Sequence, residues 1–190
     1  MISVVIPTHE SERLLVPTLA ALVPGAIAGV VREVIIADAG SQDGTAKVAD
    51  VAGCRVEVAP GPLGARLASA ANVSRSAWLM FLRPGSVPDA NWIDAIENFL
   101  RDCDLGESER AAVFRRRPAR GRSTIGEVLE FAAAALGARP KPEQGLLVAK
   151  DFYTRIGGHS AGATDPEAGL IKNLGRRRIA VLDCAMAQAR

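Results

Sequence analysis

One carboxylate in this chain stands where it could hold a ligand. Asp38 follows the mostly apolar run 33–37 and begins the segment Asp-Ala-Gly-Ser-Gln-Asp-Gly-Thr. A carboxylate at a strand end can accept hydrogen bonds from a uracil ring or from ribose hydroxyls, and the glycines let the backbone turn tightly beside a ligand. The segment also fits a plain turn and helix cap, with Ser41 or Asp43 as the N-cap. On spacing alone, both interpretations stay open.

Two further segments follow apolar runs in the same way. Residues 7–10 (Pro-Thr-His-Glu) come after the run 2–6, and residues 83–86 (Arg-Pro-Gly-Ser) come after the run 77–82. The apolar runs are predicted to be buried strands. Ligands of parallel sheets bind at the carboxyl ends of the strands, so we expect both segments to lie near Asp38.

Helical patterns separate the predicted strands. Helices are predicted at 11–22 and 45–51, and a loop at 61–64 opens a third helix that reaches about residue 75. A further strand is predicted at 55–59. Pro24-Gly25 is expected to end the first helix. This alternation of apolar strands and helices is typical of a parallel, Rossmann-like sheet covered on both faces.

The second half of the chain is less regular. Helices are predicted at 90–101, 124–136 and 165–174, and strands at 111–115, 145–149 and 178–182. A length of 190 residues fits one domain.

The composition excludes several classes of protein. The net charge of +2 is too small to argue for a nucleic-acid partner. Cys54, Cys103 and Cys184 lack metal-binding spacing and suit a reducing compartment. No run approaches the roughly 18 to 20 apolar residues of a transmembrane helix, so a cytoplasmic protein is expected. Arginine clusters at 115–122 and 176–178 fit solvated surface, or a peripheral place at the inner face of the membrane.

The ordered motifs resemble those of family 2 glycosyltransferases, most closely a short bacterial subgroup. Those enzymes carry a Pro-x-x-Asn-Glu element, with His9 in place of the asparagine here, and an Asp-x-Gly-Ser-x-Asp-Gly-Thr element. Further similar segments are Gly64-Ala65-Arg66 with Ala70-Ala71-Asn72, the fourth strand at 77–82, the later strand at 144–148 and the Gly157-Gly158 turn.

The resemblance implies a three-layer GT-A (Rossmann-like) α/β domain with a mostly parallel central sheet, spanning 1–190. Residues 1–88 would form the nucleotide-binding half and residues 89–190 the acceptor half. The donor would be a nucleoside diphosphate sugar. The resemblance places at the nucleotide Pro7, Thr8, Glu10, Asp38, Gly40 and Arg66, of which Arg66 would face the diphosphate. Arg66 also fits a solvated helix face.

The segment 83–86 departs from the family pattern. These enzymes usually show Asp-x-Asp or His-x-Asp there, and the last carboxylate holds Mg²⁺ or Mn²⁺ against the diphosphate. Arg83 and Gly85 stand in those places, so the metal expected for the family lacks its ligands. An arginine could neutralise the phosphate directly through its fork of donors. The alternative is a site that has lost its activity.

A second departure concerns the base that would deprotonate the acceptor. The family often has Glu-Asp where this chain has Thr164-Asp165. Asp165 matches the catalytic aspartate, but it also precedes Pro166 in the order favoured at a helix start. Glu167 is a second candidate for the base.

Two functions follow from these observations. One is an inverting glycosyltransferase in which Asp165 activates an acceptor hydroxyl and Arg83 steadies the leaving diphosphate. The other is an inactive module that binds a nucleotide or nucleotide sugar. A nucleotidylyltransferase is disfavoured, because such enzymes usually carry a Gly-rich loop straight after the first strand and residues 7–13 contain no glycine. The acceptor could be small, lipid-linked or supplied by a partner protein, and a homo-oligomer stays open.

Overall fold

The computed structural model of the chain describes residues 1–105, 109–117 and 140–189. The strands are β1 (Ile2–Thr8), β2 (Val31–Asp38), β3 (Arg55–Val58), β4 (Trp78–Phe81), β5 (Ser86–Pro88), β6 (Ala111–Arg116), β7 (Leu146–Ala149) and β8 (Ile179–Gln188). The α-helices are α1 (Glu12–Ile27), α2 (Thr45–Val51), α3 (Leu63–Val73), α4 (Trp92–Leu105), α5 (Lys150–Arg155) and α6 (Pro166–Leu174). Short 3₁₀ turns cover Pro142–Gln144 and Arg176–Arg178. The predicted helix at 124–136 lies outside the described residues.

The described strands form one mixed sheet. Their order is β3-β2-β1-β4-β7-β6-β8-β5. Pairing is parallel between β1 and β2, β1 and β4, β2 and β3, and β6 and β8, whereas β7 runs antiparallel to β4 and β6, and β5 antiparallel to β8. The predicted mostly parallel α/β sheet is confirmed, and the carboxyl ends of β1, β2 and β4 share one edge.

Helices cover both faces of the sheet, as predicted. Alternate residues of a strand point to opposite faces, and Val4 and Val5 accordingly belong to two separate core clusters. The first cluster joins β1 to side chains of α1 and α4, and the second joins it to α3, α5 and α6. This packing holds the strand ends of the candidate site in fixed positions.

The predicted end of the first helix was wrong. Helix α1 continues through Pro17 and Pro24 to Ile27. Because Pro24 has no N–H, the carbonyl of Ala20 loses its helical hydrogen bond. Both residues are exposed, so water can bond to that carbonyl instead. Gly25 is buried, and a Cβ there would lie 2.2 Å from the Trp92 ring. The helix therefore continues because its glycine lets it pack closely against α4.

The predicted end of the first strand was also wrong, because β1 runs through Pro7 to Thr8. Pairing with β4 stops at Val5 and Phe81, while pairing with β2 continues to Thr8 and Asp38. Because proline has no N–H to donate, it fits in a strand where one side has no neighbouring strand to accept a hydrogen bond. The extension places Thr8 directly opposite Asp38.

The other differences concern element lengths and two short elements. Strand β8 reaches Gln188, α4 reaches Leu105, and β2 includes Asp38 itself. Strand β5 and helix α5 were not predicted, because three to six residues carry too little periodicity to identify. Among the described residues, no helix is both long and apolar enough to cross a membrane.

Candidate active site

Asp38 is enclosed by its own loop. Its side chain is 1% exposed. Oδ1 accepts hydrogen bonds from the hydroxyls of Thr8 and Ser41, each at 2.6 Å. Oδ2 accepts from the backbone amides of Gly40 at 2.8 Å and Ser41 at 2.7 Å. A carboxylate offers about four acceptor positions, so a ligand can bond to Asp38 only by displacing one of these donors.

The hydrogen bonds also control the charge of Asp38. Burial raises the pKa of this carboxyl group, but the hydroxyls of Ser41 and Thr8 and the amides of Ser41 and Gly40 outweigh burial. The net result is a pKa below the ordinary value of 3.8. Asp38 is therefore a charged anchor that fixes the turn after β2.

Two glutamates tie the loop after β1 to the loop after β2. The Glu10 amide donates to Ser41 Oγ at 2.9 Å, and Glu10 Oε1 accepts from the Gln42 amide at 2.6 Å. Glu10 has a φ of 47°, the left-handed region that side chains rarely adopt. Glu12 accepts from the Gly44 amide at 3.0 Å, and its own amide donates to Asp43 at 3.1 Å.

The cap of α2 differs from both predicted residues. Its N-cap is Gly44, and no side chain bonds there as a cap. Asp43 instead accepts from the amide of Thr45 at 3.0 Å. A Cβ on Gly44 would lie 2.5 Å from the Glu12 carboxyl carbon, so a larger residue there would displace the Glu12 side chain from the Gly44 amide.

Arg66 clamps the ends of two strands. Its Nη1 donates to the carbonyl of Thr8 at 3.0 Å and to that of Ala37 at 2.7 Å. Burial lowers its pKa, and the charge of Asp38 opposes that shift. Its Nε is buried and has no hydrogen-bond partner among the described residues. Arg66 thus lies at the predicted edge of the sheet, where it holds β1 and β2 together.

A second cluster surrounds Arg83, at the end of β4. Its Nε lies 3.0 Å from Glu167 Oε2 and 3.2 Å from Oε1, and its Nη2 also contacts Glu167 Oε2. Its Nη1 donates to Glu143 Oε1 at 3.2 Å. The hydrogen bonds and charge of Glu167 raise the pKa of Arg83. A guanidinium has five N–H donors, and these contacts leave two for a ligand.

Both backbone polar groups of Gly85 are hydrogen-bonded within the protein. Its amide lies 2.9 Å from both the Leu14 carbonyl and Thr18 Oγ1. Its carbonyl accepts from the Ala189 amide at 2.7 Å. With a φ of 89°, the position favours glycine. The backbone of Gly85 therefore joins the loop after β4 to α1 and to the end of β8.

The side chains around Arg83 do not fit a divalent cation. Such an ion needs several oxygen ligands directed at one point, and here the point between Glu143 and Glu167 is filled by a guanidinium. Within the described ranges, no group of three or more His, Cys, Asp or Glu residues could hold a metal ion.

The start of α6 supplies both candidate bases. Asp165 is the N-cap, and its Oδ1 accepts from the Ala168 amide at 2.9 Å. It is exposed, which leaves its second oxygen open to solvent. Glu167 lies two residues further along the chain, and its side chain is only 11% exposed. The structure therefore separates a capping carboxylate from a carboxylate that faces Arg83.

A buried histidine that sequence reasoning missed lies between β4 and α5. His159 Nδ1 lies 2.9 Å from the Tyr153 hydroxyl, which also accepts from the His159 amide at 3.0 Å. Its ring packs edge-on against Phe81, with centroids 4.7 Å apart. Burial lowers the pKa of His159 to about 4, so the ring is neutral at pH 7. The only sign of His159 in the sequence was a polar side chain directly after the Gly157-Gly158 turn.

The structure thus groups the predicted residues into two neighbouring sets. Thr8, Glu10, Asp38 and Gly40 form one hydrogen-bonded network with Pro7 in the adjoining strand end, and Arg66 supports it. Arg83 and Glu167 form the other, and Asp165 begins the same helix. Glu143 was not predicted, and no local signal marks it.

Comparison with known proteins identifies relatives of this fold. Two complexes of glucosyl-3-phosphoglycerate synthase from Mycobacterium tuberculosis superpose on the whole chain and on 72% of their own. The first, with Mn²⁺, UDP and glucosyl-3-phosphoglycerate, has a TM-score of 0.71 at 22% identity. The second, with Mn²⁺, UDP-glucose and phosphoglyceric acid, has a TM-score of 0.69 at 22% identity. No curated protein sequence matches the chain.

These structures confirm the predicted GT-A fold. The model of the family described as glycosyl transferase family 2 matches residues 3–102, more than half of the chain. That span contains the Asp38 network, Arg66 and Arg83, and it confirms the predicted family and class of enzyme. The chain belongs to glycosyl transferase family 2.

Proposed function

We propose that this protein is an inverting glycosyltransferase that moves a sugar from a nucleoside diphosphate sugar to an acceptor hydroxyl without a divalent cation. The observation that carries the proposal is Arg83. A guanidinium held by Glu167 and Glu143 stands at the end of β4, where the family otherwise places its metal-binding acids. It supplies positive charge for the diphosphate at the same end of the sheet.

The nucleotide belongs to the half formed by residues 1–88. Asp38 and Thr8 fix the turn after β2, and Arg66 fixes the strand ends beneath it. The exposed Glu10 carboxylate and the backbone of Pro7 and Gly40 then line the pocket for the base and ribose. In this arrangement Asp38 acts mainly by shaping the loop, and it contacts the ligand only if a donor such as Ser41 is displaced.

Arg83 binds the leaving diphosphate with the two N–H donors that remain free of Glu167 and Glu143. Charge-assisted contacts of this kind are about twice as strong as neutral hydrogen bonds. Positioned donors that stabilise developing charge contribute about 10²- to 10³-fold in rate. We therefore expect Arg83 to contribute to the rate by stabilising the charge that develops on the leaving diphosphate.

The acceptor belongs to the half formed by residues 89–190. A carboxylate at the start of α6, Asp165 or Glu167, removes the proton from the acceptor hydroxyl, which attacks the anomeric carbon from the side opposite the diphosphate. The acceptor itself is open to test, and lipid-linked alcohols belong in the screen. Because the superposed synthase was solved with UDP-glucose, UDP-glucose is the first donor to try.

Chelation tests the metal-free part of the proposal. We expect the initial rate of UDP release from UDP-glucose, with a panel of acceptor alcohols or with water, to be unchanged by EDTA, because Arg83 already supplies the countercharge. GDP-glucose serves as the second donor. The control is a metal-dependent glycosyltransferase assayed in the same buffer. Loss of all activity in EDTA, restored by Mn²⁺, contradicts the proposal.

A binding module without turnover is the second candidate function. It is favoured by the fact that both predicted catalytic residues are engaged within the protein, Arg83 with Glu167 and Asp165 with the Ala168 amide. Calorimetry with UDP, GDP and their glucose conjugates separates the two functions. Binding of a nucleotide sugar that is never consumed, with any acceptor tried, supports the module.

A further inference from the structure

Glu167 is held in an ion pair that limits its use as a base. Both of its carboxylate oxygens contact Arg83, at 3.2 Å and 3.0 Å from Nε, with a further contact from Nη2. The Glu167 side chain is 11% exposed and that of Arg83 is 35% exposed. Both oxygens of Glu167 are thus directed at the guanidinium of Arg83 rather than at an open space beside it. In the free protein, Glu167 is therefore poorly placed to take a proton from a hydroxyl.

The other nearby carboxylates are held differently. Asp165 is exposed, and one of its oxygens caps α6 through the Ala168 amide. Glu143 makes one contact with Arg83, at 3.2 Å, and its side chain is 51% exposed. Glu143 can thus keep one side of the guanidinium while the side that faces Glu167 turns to another anion. The hydrogen bond of Gln188 Nε2 to the Glu143 carbonyl, at 3.0 Å, fixes that second support.

We propose that the Arg83–Glu167 ion pair is a latch opened by the donor, and that Glu167 rather than Asp165 is the base that activates the acceptor. This inference rests on the proposed function. The diphosphate first binds the two N–H donors of Arg83 that are free, and its oxygens then also compete for the donors that hold Glu167. The released carboxylate then faces the reacting centre. Base and leaving-group support are thereby coupled, so the acceptor is activated only after the donor has bound.

The chemical step balances without a metal or a redox partner. Glu167 takes the proton of the acceptor hydroxyl as its oxygen forms a bond to the anomeric carbon. The bond between that carbon and the diphosphate oxygen breaks, and its electron pair leaves with the nucleoside diphosphate on Arg83. The products are the glycoside, the nucleoside diphosphate and one proton, which Glu167 passes to water.

A latch makes an unusual prediction for Glu167→Gln. The neutral amide no longer competes with the diphosphate for Arg83 and no longer repels it, so we expect UDP or GDP to bind about three- to tenfold more tightly. The same variant lacks the base, so we expect kcat to fall by about a hundredfold or more. A residue that only positioned Arg83 would instead weaken nucleotide binding and turnover together.

The experiment measures Kd for UDP and GDP by calorimetry and kcat with UDP-glucose and GDP-glucose, for wild type and three variants. Glu97→Gln, at an exposed residue of α4, is the matched carboxylate control and should leave kcat at the wild-type value. Asp165→Asn tests the competing base, and its kcat should fall less than that of Glu167→Gln. Weaker nucleotide binding by Glu167→Gln, or a larger kcat loss in Asp165→Asn than in Glu167→Gln, overturns the latch while wild-type turnover stands. No turnover by wild type with any donor overturns the proposed function itself, and the binding data then still show whether Glu167 competes with the nucleotide.

Discussion

Replacing Arg83 by methionine is expected to slow turnover of the nucleoside diphosphate sugar by about 10²- to 10³-fold. Methionine keeps much of the side-chain length but removes the charge and both N–H donors left for the diphosphate. Because no group of three or more His, Cys, Asp or Glu residues within the described ranges could hold a metal ion, no bound cation is expected to replace the charge of Arg83. The measurement is the initial rate of nucleoside diphosphate release.

Two further variants separate charge from folding in this result. Arg83→Lys keeps the charge but cannot form the fork, so its rate should lie between those of wild type and Arg83→Met. Arg83→Met also leaves Glu167 without its partner at 11% exposure, which destabilises the fold. The double variant with Glu167→Gln should recover the melting temperature but not the rate. A rate for Arg83→Met equal to that of wild type contradicts a role for Arg83 in catalysis.

Replacing Asp38 by alanine is expected to lower the free energy of unfolding by about 3 kcal/mol at pH 7 and to abolish nucleotide binding. The change leaves the amides of Gly40 and Ser41 and the hydroxyl of Thr8 without their acceptor in a site that is 1% exposed. Asp38→Asn is the matched control. Its amide oxygen can still accept from the backbone, and the hydroxyls can rotate to accept from its NH₂, so the loss should be about 1 kcal/mol.

The pH dependence of these variants has a definite sign. Because the pKa of Asp38 lies below the ordinary value of 3.8 in the folded chain, its charge stabilises the fold above the pKa of the unfolded chain. That stabilisation is lost as the pH falls from 3.8 through the lower folded value. In urea unfolding, the stability gap between wild type and Asp38→Asn should therefore be constant from pH 5 to 7 and should close towards pH 3. A gap that is the same at pH 3 and pH 7 contradicts the buried-anion role.

The parts of the fold that could be predicted from the sequence depend on local patterns. Strands β1, β2 and β4 were predicted because each is an apolar run bounded by turn residues. Helix α2 was predicted at its observed bounds. Helix α1 was predicted too short because the tolerance of Pro24 depends on its exposure and on Gly25 meeting Trp92. The direction of β7 was not predicted, because strand direction leaves no mark in four apolar residues.

In the candidate site, too, the contacts between residues close in sequence could be predicted, and those between distant residues could not. Asp38, Gly40 and Ser41 are close in sequence, and their turn was visible as a motif. The partners of Arg83 were not visible, because Glu143 lies 60 residues away and Glu167 lies 84 residues away in the chain. Arg66 lies at the ends of β1 and β2, but its contacts with the carbonyls of Thr8 and Ala37 depend on how α3 packs, which periodicity does not specify.

The most direct test of whether Arg83 takes the place of a metal ion is to measure nucleotide binding with and without Mn²⁺. The measurement is Kd for UDP and for GDP by calorimetry, first in EDTA and then with Mn²⁺. Binding of metal and nucleotide to one site is reciprocal, so an absent metal site means that Mn²⁺ leaves the affinity unchanged. We expect at least one nucleotide to bind equally well in both buffers. Binding that appears only when Mn²⁺ is added contradicts the central claim.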